Sequence, residues 1–251
     1  MKDTIPFITQ QGSFAHPAHL ELAAEYLAHG AIIIAGFNGV FGLFGDADSP
    51  EAAARIFQAK QCPQEKGLIL VCPPEYLEEF VDLHAIARQS WYTLAQVQQL
   101  LSAVHALGVI LPAAPVGAPP HIVQRQTILT IWTEYPPYHP FRHIVRFLRE
   151  RGGRALQGTS ANKSGYASCT TPAQVHATFP DAASLFFPDS FDHLPSCRRV
   201  STSIIDLTGA APCLHREGSM LADEINEHLA RSGFPALKIS EEVIRLQPQH
   251  A

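Results

Sequence analysis

The sequence predicts a single α/β domain built on a twisted, open mixed sheet flanked by helices. Three observations carry that prediction. Short continuous apolar runs of strand length alternate with segments whose apolar residues recur at helical spacing. No internal repeat or low-complexity stretch breaks the alternation. The chain has 251 residues, 46% of them hydrophobic, enough to bury one substantial core.

Pro17 opens the helically spaced AHLELAAEYLAHG, which closes on Gly30, the residue favoured just past a helix end. Residues 31–35 (AIIIA) form a short apolar run expected to be a strand buried on both faces, feeding a glycine-rich turn through Gly45. Ser49, Pro50 and Glu51 supply an N-cap, a first-turn proline and an acid at the positive helix end, so EAAARIFQAK is expected to be helical with Lys60 at its C-terminus, on a helix-end loop. Residues 68–72 (LILVC) read as the next strand and PEYLEEFVDL as a helix. Thr93 caps TLAQVQQLLSAVHAL, which is expected to stop at Gly108. Residues 111–121 are crowded with proline and predict a loop rather than a sheet interior. A linker is the alternative, but the flanking segments read as parts of one sheet. TILTIW (strand), HIVRFLRERGG (helix), the loop GTSANKSG, the cap Thr171-Pro172 with a short helix, and the strands LFF and SIIDL follow, before a last helix over 221–232. Residues 1–16 are expected to be an N-terminal extension, 17–220 the domain, and 221–251 a C-terminal helix and tail.

Composition narrows the function classes. Eighteen Lys and Arg face 23 acids, a net charge of -5, so any anion site must be local and RNA binding has no support from overall charge. The five cysteines (Cys62, Cys72, Cys169, Cys197, Cys213) are odd in number and form no CxxC pair, which suits reduced thiols in the cytoplasm. The N-terminal residues lack an apolar stretch of signal-peptide length and no run reaches a membrane span, so a soluble cytoplasmic protein with no membrane partner is expected. The histidines show no HExxH spacing, and the His139/His143 pair alone does not make a metal site.

Residues 158–165, GTSANKSG, concentrate hydroxyls, an amide and glycines between a strand and a helix. Backbone N–H groups and hydroxyls in such a loop can surround phosphate oxygens, although an ordinary polar turn uses the same residue types. The TSAN-x-SG within it resembles a hallmark of the YrdC-like, threonylcarbamoyl-AMP synthase family, and three more segments fall in that family's order. Gly42-Leu43 with Asp46-Ala47 resembles the end of PTDTVYGL and its following DA. Residues 60–68 (KQCPQEKGL) resemble K-x-R-P-x-x-K-P-L, and Thr202-Ser203-Ile204-Ile205-Asp206 with Arg216-Glu217-Gly218 resembles S-T-V-V-D and its R-x-G hairpin.

The resemblance spans roughly residues 17–220 and implies a YrdC-like fold. It also implies an enzyme that binds ATP, with magnesium assisting. Such enzymes use ATP with bicarbonate and L-threonine to make a mixed carbamic-phosphoric anhydride for tRNA modification, releasing pyrophosphate. By the same resemblance Lys60, Ser160 and Asn162 are the catalytic candidates and Lys66, Thr159, Thr202, Ser203 and Arg216 the nucleotide-binding ones.

The sequence departs from the family pattern where the amino acid should sit. Gly36-Phe37-Asn38-Gly39 replaces PTDT, so Phe37 and Asn38 become the candidate substrate-binding residues, with a changed hydrogen-bond code. Cys62 stands where the K-x-R arginine stands, removing a bidentate clamp, and no base is evident that would make it a nucleophile. Residues 111–121 replace a W-P-G-P-L-T type segment. The expectation is a divergent enzyme that forms a carbamoyl-adenylate or transfers a carbamoyl group, using bicarbonate or carbamoyl phosphate and another amine or amino acid. An authentic threonylcarbamoyl-AMP synthase and a non-catalytic nucleotide- or RNA-binding relative are the alternatives.

Overall fold

The computed structural model describes residues 10–37, 39–62, 67–89, 91–104, 107–132, 140–190 and 200–246. The strands are β1 (Gln10–Gln11), β2 (Ile33–Phe37), β3 (Val40–Asp46), β4 (Ile69–Val71), β5 (Leu107–Pro112), β6 (Val123–Gln124), β7 (Thr127–Trp132), β8 (Leu156–Ser160), β9 (Leu185–Phe187), β10 (Ser203–Asp206), β11 (Cys213–Glu217) and β12 (Lys238–Arg245). The α-helices are α1 (Pro17–Ala28), α2 (Pro50–Lys60), α3 (Leu83–Gln89), α4 (Leu94–Ala103), α5 (Pro140–Arg149), α6 (Pro172–Thr178) and α7 (Ala222–Arg231). Among the described residues these twelve strands join one mixed sheet in the order β1-β9-β2-β3-β8-β4-β7-β5-β10-β11-β12, with β6 added to β7. This is the open mixed α/β sheet the sequence predicts.

Local signals set most of the boundaries. Ser49 caps α2 by accepting from the Ala52 N–H, while Thr93 and Thr171 form capping boxes with Gln96 and Gln174 at the starts of α4 and α6. The five residues of β2 are all buried, as a central strand covered on both faces requires. The core is continuous across the sheet and includes the fully buried Trp132, Phe41, Phe80, Phe186 and Phe187. Ile225 and Leu229 of α7 join that same core.

Four expectations change. The glycine-rich segment through Gly45 is the strand β3, not a turn, and the reversal occurs at Gly39, whose φ of +89° suits glycine. Gly45 lies in a strand because α2 packs directly on it: a Cβ there would stand 2.7 Å from Cβ of Ala52. Helix α4 ends at Ala103, and Gly108 belongs to β5, where a Cβ would press on Ile204 and Ile131 of the two neighbouring strands. PEYLEEFVDL forms a 3-10 helix over Pro74–Glu79 and then gives way to α3. The proline-rich stretch contributes Leu111 and Pro112 to β5 before it becomes a loop. The edge strands β1 and β12 carry no periodic signal of their own, and each is recruited by pairing with β9 or β11.

The arginines on and just after α5 are largely spent inside the fold. Arg142 pairs with Glu75, Arg149 with Glu79 at 2.8 Å, Arg151 with Glu21 at 3.4 Å and Arg154 with Asp48 at 2.5 Å. No helix among the described residues is long and apolar enough to cross a membrane.

Candidate functional site

The middle of the sheet builds one face of a cavity of about 480 Å³, counting the space at its mouth. Alternation along β3 brings Val40, Gly42 and Phe44 to that face. Register then sets Ser160 of β8 opposite Gly42, and Gly158 opposite both Phe44 and Ile69. The two glycines are there for contact. A Cβ at Gly158 would come within 2.6 Å of Phe44 Cδ1, and one at Gly42 within 2.5 Å of Phe44 Cζ, so the Phe44 ring lies across both. Phe37, Val71 and Ile131 complete an apolar floor. Phe37 is fixed by ring contacts to Phe44 at 5.8 Å and Phe141 at 4.8 Å. Thr159, Ser160, Ser201, Thr202 and Arg216 form a polar rim.

One side of the rim is the TSAN loop, locked to the end of α2. Lys60, the last residue of that helix, is 7% exposed. Its ammonium donates to the Ser160 carbonyl at 2.5 Å and to Asn162 Oδ1 at 2.8 Å, while Ser160 Oγ donates to the same Oδ1 at 2.7 Å. Asn162 Nδ2 donates to the carbonyls of Lys163 and Tyr166 at 3.0 and 2.7 Å, folding the loop back on itself. The carbonyls at the helix end, which lack intrahelical donors, are satisfied by the loop in return: Lys163 Nζ reaches Ala59 O at 2.6 Å and the Ser164 N–H reaches Lys60 O at 3.1 Å. Backbone bonds from Ala161 N to Phe41 O at 2.6 Å and from Phe41 N to Cys169 O at 2.8 Å stitch the loop to β3. Lys60 and Asn162 therefore act on Ser160 from behind, and Ser160 faces the cavity. Burial raises the Cys169 thiol pKa, opposed by a hydrogen bond with Thr178 and by the Lys60 charge.

The opposite side of the rim is the β10–β11 hairpin. Arg216 donates from Nε and Nη2 to the Thr202 carbonyl at 3.0 and 2.8 Å, which leaves part of its fork directed to the cavity. Among the described residues no carboxylate pairs with it. Burial lowers its pKa, yet a guanidinium remains ionised at neutral pH. Ser203 is engaged elsewhere: its hydroxyl donates to Met220 O at 2.6 Å and accepts from the N–H groups of Gly218 and Met220 at 2.8 and 3.1 Å. Gly218 passes so close to the chain at Ser201 that a Cβ would stand 2.0 Å from the Ser201 carbonyl oxygen.

Of the residues expected at the site, Phe37, Thr159, Ser160, Thr202 and Arg216 line the cavity, Lys60 and Asn162 support it, and Ser203 holds the hairpin. Asn38 and Lys66 lie outside the described residues, as does His139. Cys62 is half-buried after the α2 C-cap. Sequence reasoning missed Ser201, Val40 and Phe44 of β3, Ile69 and Val71 of β4, and Ile131 of β7. Their strands were legible, but which face each strand turns to the cavity follows from the sheet order.

Residues 25–218 match the Sua5/YciO/YrdC family, described as telomere recombination. The chain belongs to that family. Its relatives include proteins named threonylcarbamoyl-AMP synthase from Vibrio cholerae serotype O1, 31% identical over 160 residues and covering 62% of this chain and 78% of that one. Another, from Klebsiella pneumoniae, is 31% identical over 170 residues, covering 64% and 83%. The chain is thus an enzyme of the family's transferase type. Among solved structures, Sua5 of P. abyssi complexed with L-threonine superposes with a TM-score of 0.71 at 21% identity, covering 93% of this chain and 62% of that one. The chain thus spans under two thirds of that Sua5. YciO of E. coli gives a TM-score of 0.59 at 20% identity, covering 86% and 96%. At these identities the structural likeness speaks for the fold.

Proposed function

We propose that this family member forms a carbamoyl-adenylate from ATP, bicarbonate and an amine or amino acid. The observation that carries the reading is Arg216, a half-buried guanidinium with no carboxylate partner among the described residues, which lines the cavity together with Thr202 beside it and Ser160 of the TSAN loop. A buried cation held by a single carbonyl favours an anion beside it, and the phosphates of ATP supply one.

The chemistry balances in two steps. The amine nitrogen adds to the bicarbonate carbon and water leaves, giving a carbamate. A carbamate oxygen then attacks the α-phosphorus of ATP as the bond to the β-phosphate oxygen breaks, releasing pyrophosphate and leaving a carbamic-phosphoric anhydride. Carbamoyl phosphate is the other donor compatible with a carbamoyl product. Negative charge builds at the α-phosphate, and Arg216, fixed before the reaction by its two bonds to the Thr202 carbonyl, is a cation suited to stabilising it. Lys60 and Asn162 are positioning residues: they hold the Ser160 carbonyl and hydroxyl and do not reach the cavity themselves. The apolar floor helps keep water from the labile anhydride.

Among the described residues no three His, Cys, Asp or Glu side chains gather into a cation cage. Magnesium, where it accompanies ATP, would neutralise part of the phosphate charge. The test is pyrophosphate release in a complete mixture and in mixtures lacking ATP, bicarbonate or the amino-acid panel. Release only when all three are present supports the reading, and ATP binding without release under any mixture refutes it.

A further inference from the structure

We infer that the N-terminal strap, residues 10–16, is a positioning element for the cavity, and that Phe14 sets the orientation of the Phe37 wall through Phe141. The inference rests on the proposed carbamoyl-adenylate reading for the ligand that meets that wall, the amine or amino acid. The strap precedes residue 25, where the match to the family begins, and none of the family motifs includes it.

Phe14 is half-buried and stands at the end of a stack of rings. Its ring centroid lies 5.7 Å from that of Phe141, edge to face, and 4.8 Å from that of Phe187. Phe141 lies in turn 4.8 Å from Phe37 and 4.9 Å from Phe44, the two rings that line the cavity. Phe37 falls within the segment that replaces PTDT. A phenyl ring has no hydrogen bond to fix its angle, so its orientation depends on the rings packed against it.

A second route converges on the same residue through the backbone. Asp189 accepts from the Ser13 hydroxyl at 2.5 Å and from the Phe14 N–H at 3.1 Å. The next residue, Ser190, is buried; it accepts from the Gly36 N–H at 2.5 Å and donates to Phe187 O at 2.8 Å. Gly36 is bonded directly to Phe37. Further contacts hold the strap down: the Gly12 N–H donates to Phe186 O at 2.8 Å and the Ser13 N–H to His19 Nδ1 at 2.9 Å. A Cβ at Gly12 would stand 2.7 Å from Phe187 Cε1, so the chain lies directly on that ring. Removing the Phe14 ring leaves space beside Phe141 into which Phe141 can relax, and that releases Phe37 on its other side.

Carbon-13 methyl NMR of the full chain tests this coupling without any ligand. Val40 is the register partner of Phe37 and lines the same cavity, so its methyl shifts report the angle of the Phe37 ring, with Ile225 of α7 as the reference. Phe14→Ala should shift the Val40 methyls and leave Ile225 in place. Ser13→Ala removes the hydroxyl bond to Asp189, keeps the ring, and should shift them in the same direction by less. In pyrophosphate assays with the panel amino acid that the native chain uses best, Phe14→Ala should raise the amino-acid KM about tenfold, with the calorimetric Kd of a non-hydrolysable ATP analogue within about twofold of native. Phe14→Leu, which refills most of the space, should recover most of that loss.

Val40 methyls at their native positions in both variants overturn the inference. So does a Phe14→Ala chain whose amino-acid KM is unchanged, or rises in step with the ATP-analogue Kd, since the strap would then contribute stability alone. A native chain that releases no pyrophosphate with any panel member refutes the proposed reaction, and the Val40 shifts then decide the brace by themselves.

Discussion

Arg216 is the residue on which the proposed anion site depends, because it combines a permanent charge, partial burial and a single backbone partner. Arg216→Met keeps the aliphatic contact and removes the charge, and should weaken ATP binding about ten- to a hundredfold by calorimetry, the worth of a charge-assisted contact. Gly218→Ala should lower stability by about 1–3 kcal/mol in denaturant titration, since its Cβ meets backbone rather than a yielding side chain. Asp46 adds a pH dependence. Burial raises its pKa, with the Asp48 N–H opposing, the Asp48 charge adding and Arg154 opposing. The folded chain thus binds this proton more tightly than the unfolded one. The contribution is full below the unfolded pKa and is lost as pH rises through the folded pKa. Asp46→Asn retains the Oδ1 acceptor for the Asp48 N–H, and its gain in urea midpoint over the native chain should be larger at neutral than at mildly acidic pH. At this scale the sequence was most legible where a motif carries its own geometry. Thr159, Ser160, Thr202 and Arg216 could be named in advance, but the inward turn of Ser203 depends on where residues 218–220 return, a tertiary fact with no local signature.

Element by element, caps were the most readable signals and strand glycines the least. Ser49, Thr93 and Thr171 announced α2, α4 and α6, and each accepts from an N–H in the first helical turn. Ser49→Ala should therefore cost about 1 kcal/mol in stability. Gly42 and Gly45 read as turn formers in sequence, yet in β3 they make space for the Phe44 ring and for Ala52. Periodicity records only that a side chain is missing, and the partner that fills the gap belongs to another element. The same distinction explains Lys60. Its position at the end of α2 was evident, but its burial follows from the TSAN loop folding over that helix end. Lys60→Met should loosen the loop and lower turnover, with nucleotide affinity falling less than in Arg216→Met because Lys60 does not line the cavity.

For the whole molecule, one mixed sheet brings widely separated sequence segments to a single cavity. β2, β3, β4 and β7 supply its floor, β8 and the TSAN loop one side of the rim, the β10–β11 hairpin the other, and α2 the lysine behind the loop. Charge at this scale speaks against a general polyanion surface. The net charge is -5, and four arginines on and after α5 are paired with carboxylates. RNA titration at physiological salt should accordingly give binding weaker than roughly 10 μM. The most direct test of carbamoyl-adenylate formation is mass spectrometry of the nucleotide product formed from carbon-13 bicarbonate, ATP and the amino-acid panel. The expected product is an adenylate carrying the labelled carbonyl and the amino acid, formed in equal amount with pyrophosphate. ATP consumed to AMP or ADP, with no labelled carbon in any adenylate, would contradict it.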